Sequence, residues 1–148
     1  MKFLTLFLLV LLSGCAPWPT TSQPEVNLRV VDKNGVPIKG AAIKFVNYKI
    51  AMKPEAEFKE ILTDDSGNAY LSKKSYTQMV VLAADGGHSY DWSYCIEKNG
   101  YTPVARNNLN AAYFGNGAVI EKLSNSTHPE TCQWLEYPHG FNVVAIKP

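Results

Sequence analysis

The sequence VNLRVVDKNGVPIKGAAIKF, residues 26–45, predicts two neighbouring β-strands joined by a tight turn. Apolar and polar residues alternate in its first part, where the apolar set is Val26, Leu28 and Val30. A period of two places such a set on one face of a strand. Asn34-Gly35 then suits the positive φ angles of a tight turn. The second strand opens at Gly40, and its inward set is Ala41, Ile43 and Phe45.

The rest of the chain continues in the same way, and no segment long enough for a substantial helix has apolar residues at helical spacing. The further strand candidates are Phe58 to Leu62, Ala69 to Leu71, Met79 to Ala84, Tyr90 to Glu97, Tyr101 to Asn108, Ala118 to Leu123 and Phe141 to Ile146. Met79 to Ala84 is apolar without alternation, which is typical of a central strand covered on both faces. The sequence therefore predicts an all-β fold, a single Ig-like β-sandwich of about seven or eight strands over residues 26–148.

One strand candidate is unusually aromatic. Alternation from Tyr90 to Glu97 places four large side chains on one face: Tyr90, Trp92, Tyr94 and Ile96. Rings at a period of two bury a large apolar area, so we expect this face in the core. The opposite face carries Asp91, Ser93, Cys95 and Glu97.

Three phrases resemble the carboxypeptidase regulatory-like domains, a group with the prealbumin (transthyretin-like) sandwich. They are VDKNGVPIKGA at 31–41, TDDSGNA at 63–69 and KNGYTP at 98–103, and the resemblance covers about residues 26–104. It implies a prealbumin-like fold and, loosely, a binding or spacing role. The hydroxyisourate hydrolases share that fold but end in Tyr-Arg-Gly-Ser, whereas this chain ends in VAIKP at 144–148. The resemblance therefore implies no hydrolase activity.

The N-terminus has the layout of a bacterial export signal, with Lys2 ahead of the apolar run Phe3 to Leu12. Its end, Leu12-Ser13-Gly14-Cys15, is similar to the lipobox of bacterial lipoproteins. The resemblance implies that a signal peptide, residues 1–14, is cleaved between Gly14 and Cys15 and that Cys15 carries lipid. Several acyl chains would make a stable anchor. The alternatives are an ordinary secretory signal with a coincidental cysteine, or a buried N-terminal strand.

Ala16, rather than Asp, follows the cysteine, and among lipoproteins this favours the outer membrane. Residues 15–25 contain the proposed lipidated cysteine and three prolines, so we expect them to form an extended, polyproline-like tether. The predicted location is lipid-anchored at the bacterial outer membrane and facing the periplasm, with surface exposure left open.

Charge argues against nucleic acid as a partner. Lys2 is the only charged side chain among residues 1–14, so 13 of the 14 basic residues remain in the mature chain against 13 acidic ones. Binding to phosphates needs a basic surplus gathered on one face.

With Cys15 used for lipid, Cys95 and Cys132 form an even pair in an exported protein, which predicts a disulfide bond.

The residues expected to bind a partner lie late in the chain. Tyr113 and Phe114 are adjacent aromatics in a glycine-flanked loop, so we expect one to be exposed as a protein-contact anchor, with Trp134 and Tyr137 as neighbours. The alternative is a loop folded back over the end of the sandwich.

We interpret Asp64 to Asn68 as a hairpin turn rather than a calcium loop, and Asp85 to His88 as an ordinary loop rather than an acid–base pair.

The predicted function is a non-enzymatic binding or structural accessory of the cell envelope, a secretion or assembly component being one such role. Its partners would be the membrane, through Cys15, and an envelope protein. No cofactor, catalytic residue or metal ligand set is expected. The alternative is a metal-dependent sugar-binding module or an enzyme that uses the late loops.

Overall fold

The computed structural model describes residues 15–51, 55–81, 88–115, 117–128, 130–136 and 142–147. These residues form eleven β-strands and one helical turn. The elements are β1 (Cys15–Gln23), β2 (Val26–Asp32), β3 (Ala42–Ile50), β4 (Glu55–Leu62), β5 (Asn68–Leu71), β6 (Lys74–Val81), β7 (Ser89–Glu97), β8 (Val104–Leu109), α1 (Ala111–Phe114), β9 (Val119–Leu123), β10 (Thr131–Glu136) and β11 (Asn142–Lys147). Within this part of the chain, no helix is long and apolar enough to cross a membrane.

The strands build an all-β sandwich, as predicted. One layer has the strand order β5-β2-β9, in which β2 runs antiparallel to β5 and parallel to β9. The other layer is antiparallel, with the order β4-β3-β7-β8. Two further antiparallel pairs, β1 with β6 and β10 with β11, bring the strand number above the predicted seven or eight. Membership of the prealbumin-like group stays a prediction.

The core lies between the two layers, and alternation identified most of it correctly. The buried cluster consists of Val26, Leu28, Val30, Ile38, Ala41, Ile43, Phe45, Ala69, Trp92, Tyr94, Ile96, Leu109, Phe114 and Leu123. Both inward sets of the opening stretch belong to it, and so do three of the four residues expected from the aromatic strand. Tyr90, the fourth, is partly buried against the cluster.

The expected tether is wrong in its conformation. Cys15–Gln23 forms β1, which pairs with β6 from Cys15↔Val81 to Gln23↔Lys74. Pro17 and Pro19 are compatible with this because prolines are tolerated on an edge strand, where the missing N–H faces away from the partner. We call the pair of β1 and β6 the β1–β6 ribbon. It continues from the β2–β5 pair, since β1 precedes β2 and β6 follows β5, and β1 contacts β7.

The expected central strand at Met79 to Ala84 is also corrected. Residues 82–84 lie outside the described part of the chain, and Met79 belongs to β6, which pairs only with β1 in the part described. Met79 is largely exposed. The apolar run therefore does not have both faces covered: Val80 is buried, whereas its neighbour Met79 is exposed.

The predicted disulfide is present between Cys95 and Cys132, whose Sγ atoms are 2.03 Å apart. Cys95 lies on β7 between the core residues Tyr94 and Ile96, so it faces away from the core. The bond therefore fixes β10 to the outer face of the β4-β3-β7-β8 layer. Closing a loop with a sequence separation of 37 stabilises a fold by about 4 kcal/mol in the chain-entropy model.

Two turns with the same construction meet at one corner of the sandwich. Oδ1 of Asp32 accepts hydrogen bonds from the amides of Asn34 and Val36, and Oδ1 of Asp64 accepts from Ser66 and Asn68, all at 2.8 Å. Asp64 to Asn68 is thus the turn that the sequence predicted.

Gly67 and Val30 bring the two turns into direct contact. The amide of Val30 donates to the carbonyl oxygen of Gly67 at 2.8 Å. Gly67 has a φ of +74°, and a Cβ atom there would lie 2.4 Å from the carbonyl oxygen of Val30. Gly35 has a φ of +85° with no atom within 4 Å of such a Cβ. Both positions favour glycine by conformation, but only Gly67 is closed to a side chain by its neighbours.

We expect Gly67→Ala to destabilise the protein more than Gly35→Ala. The positive φ alone costs an L-residue roughly 1–2 kcal/mol, which both variants share. Gly67→Ala adds the backbone clash with Val30, for a total of about 3 kcal/mol or more. Urea denaturation followed by tryptophan fluorescence measures the difference in the free energy of unfolding. Equal losses in the two variants would contradict the close approach.

Candidate functional site

Tyr113 and Phe114, the strongest candidates from sequence, do not form an exposed anchor. Phe114 is only 7% exposed, and its ring packs against those of Phe45, Trp92 and Tyr94 with centroids 6.2–6.4 Å apart. Tyr113 is partly buried against the same cluster. The expectation of one exposed ring is wrong, and the alternative of a loop folded over the sandwich end is the arrangement found.

The reason is the one-turn helix α1. Asn110 begins it, because the Asn110 side chain accepts a hydrogen bond from the amide of Tyr113 at 3.3 Å. Successive residues in a helix point about 100° apart, not the 180° of a strand. Two adjacent rings can therefore both turn toward the core, and those of Tyr113 and Phe114 contact each other at 5.1 Å.

Tyr113 belongs instead to a buried polar network centred on Glu121 of β9. The Glu121 side chain is 6% exposed. Its Oε1 accepts from Tyr94 Oη at 2.7 Å, from Arg106 Nε at 2.9 Å and from Tyr113 Oη at 3.4 Å. Its Oε2 accepts from Arg106 Nη2 at 2.8 Å, so the arginine binds both carboxylate oxygens. The hydroxyls of Tyr94 and Tyr113 are 3.0 Å apart.

The electrostatics of this Glu121 network suit a structural role. Burial raises the pKa of the Tyr94 hydroxyl well above its usual range, and the hydrogen bonds with Tyr113 and Glu121 raise it further. Tyr94 therefore stays a neutral donor. Partial burial opposes the charge of Arg106, but the Glu121 carboxylate and the hydrogen bonds with Tyr113 and Glu121 together raise the pKa of the guanidinium. Each side chain of the network forms a hydrogen bond with at least one other member. The network joins β9 of one layer to β7 and β8 of the other.

Sequence reasoning missed the Glu121 network, although a signal was present. Val119, Glu121 and Leu123 share one face of β9, and Leu123 is a core residue. A single carboxylate within an otherwise apolar inward set requires a buried partner. The alternation does not say which cation supplies it, because Arg106 comes from another strand.

A second charged cluster lies where β4 meets the β1–β6 ribbon. The ammonium groups of Lys59 and Lys74 lie 3.3 and 3.8 Å from the Glu57 carboxylate. Burial and the neighbouring Lys74 lower the pKa of Lys59. Lys59 also donates to the side chain of buried Gln23, which in turn donates to the carbonyl oxygen of Ser72. The cluster therefore joins the β1–β6 ribbon to the edge strand β4.

Trp134 is the remaining partner-binding candidate that the structure describes, since Tyr137 lies outside the described residues. Trp134 is half-buried on β10 and packs edge-to-face on Phe58 of β4, with ring centroids 5.3 Å apart. Tyr113 is on the core side of the same layer, so the expected neighbourhood of Trp134 and Tyr113 is not found. Phe58 is 52% exposed, and Leu62, on the same face of β4, is exposed as well.

We call Phe58, Leu62 and Trp134 the β4–β10 face. A groove of about 470 Å³ beside it is lined by Lys44, Phe45, Phe58, Lys59, Glu60, Cys132 and Trp134. Two contacts hold β10 in place there. Cys132 is bonded to Cys95, and its amide donates to Glu97 Oε2 at 2.9 Å, while Glu97 pairs with Lys44. The β4–β10 face is therefore an aromatic surface on a fixed scaffold.

The remaining candidates are occupied by local contacts. Asp65 pairs with Lys39 at 2.6 Å, beside the turn that Asp64 closes. The backbone amide of His88 donates to Gln78 Oε1 at 3.0 Å, and Asp85 lies outside the described residues. Among the residues that the structure describes, no three His, Cys, Asp or Glu side chains are grouped as a metal site would require.

Comparison with protein-family models, with curated proteins and with solved structures gives no match in any of the three.

We expect Glu121→Ala to lower the free energy of unfolding by about 3 kcal/mol, because breaking a buried ion pair strands its partners and the half-exposed Arg106 softens that loss. Asp65→Ala is the matched control, since it removes a pair in which both side chains are exposed and which should contribute less than about 1 kcal/mol. Urea denaturation measures both. A loss for Glu121→Ala no greater than for Asp65→Ala would contradict the structural role of the network.

Proposed function

We propose that this protein is a bacterial lipoprotein, anchored to the outer membrane through Cys15 and facing the periplasm, whose prealbumin-like sandwich binds another envelope protein. The observation that carries the anchor is the Leu12-Ser13-Gly14-Cys15 sequence behind a short apolar run. Ten apolar residues are too few to span a bilayer as a helix, which takes about 20. A cleaved, lipidated signal accounts for both features.

A binding role, rather than catalysis, is supported by how the reactive side chains are used. Tyr94 and the half-exposed Arg106 both donate hydrogen bonds to the buried Glu121, and Cys95 and Cys132 are bonded together. A general acid or a nucleophile must be able to reach a substrate. These groups instead hold strands in place, which is the work of a scaffold.

The β4–β10 face is the surface we assign to the protein partner. Exposed aromatic side chains contribute much of the binding energy at protein interfaces. Trp134 and Phe58 already contact each other, and the disulfide fixes the strand that carries Trp134. A surface that is rigid before binding loses less entropy on association.

The anchor is tested by labelling cells with radioactive palmitate. We expect the wild-type protein to incorporate label and to fractionate with the outer membrane, and Cys15→Ser to do neither, because the thioether needs the Cys15 sulfur. The double variant Cys95→Ser/Cys132→Ser is the control and should keep its label. Label on the Cys15→Ser protein, or none on the wild type, would contradict the proposal.

The binding face is tested with a photo-reactive amino acid at position 58. We expect irradiation of intact cells to give a discrete crosslinked product, and Trp134→Ser to reduce it, because both rings would contact the same partner. Ile120 is the control position, since it is similarly exposed but lies on the outer face of the other layer. No product from position 58, or equal products from both positions, rules out a specific contact at this face.

A further inference from the structure

We propose that the outer end of the β1–β6 ribbon docks into the headgroup region of the membrane that holds the lipid anchor, so that the sandwich is held in a set orientation. This inference rests on the proposed function, since it requires lipid on Cys15. We call residues 16–19 with their cross-strand partners 77–80 the ribbon tip. Its partner is a lipid surface.

The position of Cys15 is the first observation. Cys15 is the first residue of β1 and pairs with Val81, so the anchor attaches to folded structure with no free linker between them. A strand rises about 3.3 Å per residue, which places Trp18 about 10 Å from Cys15 along β1. The headgroup region of one leaflet is roughly 5–8 Å deep. A lipid on Cys15 therefore brings the ribbon tip to the bilayer surface.

The second observation is the distribution of charge. Residues 15–24 and 75–81 contain no Asp, Glu, Lys, Arg or His. The nearest charged residue of the ribbon is Lys74, which pairs with Gln23 at the end that joins the sandwich. Moving a charge out of water is costly, and the ribbon tip has none to move. A strand pair that is uncharged over residues 15–23 and 75–81 is unusual for a surface that stays in water.

The third observation is the exposed apolar surface of the ribbon tip. Trp18 is 59% exposed and Met79 is 65% exposed. Met79 pairs directly with Pro17, while Trp18 is on the opposite face of the ribbon, so both faces present apolar groups. Tryptophan is favoured at the membrane–water interface because its ring is apolar and its N–H polar. Since unpaired backbone groups at the ribbon edges need hydration, docking stops in the headgroup region.

The ribbon is also fixed to the sandwich, which turns docking into orientation. Trp92 Nε1 donates to the carbonyl oxygen of Ser22 at 3.2 Å. Gln78 Nε2 donates to Thr20 Oγ1 at 2.6 Å, and the same side chain bonds the backbone of His88. These contacts join β1 to β7 and join β6 to His88, the residue directly before β7. The sandwich cannot swivel freely once the ribbon tip is held.

Quenching of tryptophan emission by brominated lipid tests this inference. The full chain, expressed with its signal, is reconstituted into vesicles of phosphatidylethanolamine and phosphatidylglycerol with or without brominated acyl chains. The three tryptophans are Trp18, Trp92 and Trp134. We expect bromine to quench the wild type and Trp134→Phe, whereas Trp18→Phe loses the quenching. Trp92 is buried in the core and is present in both variants.

The outcomes separate the ribbon from the anchor. Equal quenching in the wild type and Trp18→Phe, in protein that floats with the vesicles, overturns ribbon docking alone. Protein that lacks lipid mass on Cys15 and does not float overturns the anchor and the docking with it. A blue shift of Trp18 emission that grows with protein concentration in vesicle-free Cys15→Ser protein assigns the ribbon tip to a second copy of the chain, and overturns the lipid surface as its partner.

Discussion

The close approach of two turns at one corner of the sandwich is the constraint on which the rest of the structure depends. Gly67 bonds Val30 of β2, and the next residue begins β5. Thr63, which follows β4, donates through Oγ1 to the carbonyl of Ile38 at 2.6 Å and accepts from the amide of Ala41 at 2.8 Å. The corner thereby joins β2 and β5 of one layer to β3 and β4 of the other.

Two further sets of contacts join strands of the sandwich. The Glu121 network joins β9 to β7, β8 and α1, and the disulfide joins β7 to β10. The Glu121 network lies on the core side of the β4-β3-β7-β8 layer, and the disulfide lies on its outer face. Both use groups that would be reactive if they were free. In the part of the chain that the structure describes, these groups therefore stabilise the architecture of the protein.

Two exposed surfaces among the described residues differ in composition. The β4–β10 face is aromatic but flanked by charged side chains such as Lys44 and Glu60, a mixture that suits a protein partner. The ribbon tip is apolar and uncharged, which suits the bilayer interface. The ribbon begins at the proposed anchor, so a lipoprotein built in this way would have its membrane contact fixed by one end of the chain and its protein contact by a disulfide-bound strand.

Most of the strands and most of the core could be predicted from the sequence, because alternation is local: each strand records which of its faces is buried. Alternation did not predict β10 at Thr131–Glu136. The sequence by itself also determined both turns, through Asn34-Gly35 and Asp64 to Asn68, and the pairing of Cys95 with Cys132. Only the tertiary structure decided that Cys15–Gln23 is a strand, that Tyr113 and Phe114 both turn inward, and that Arg106 neutralises Glu121. The strand at Cys15–Gln23 and the Arg106–Glu121 pair depend on partners distant in sequence, and the inward rings depend on a single helical turn. An alternation with a period of two carries information about neither.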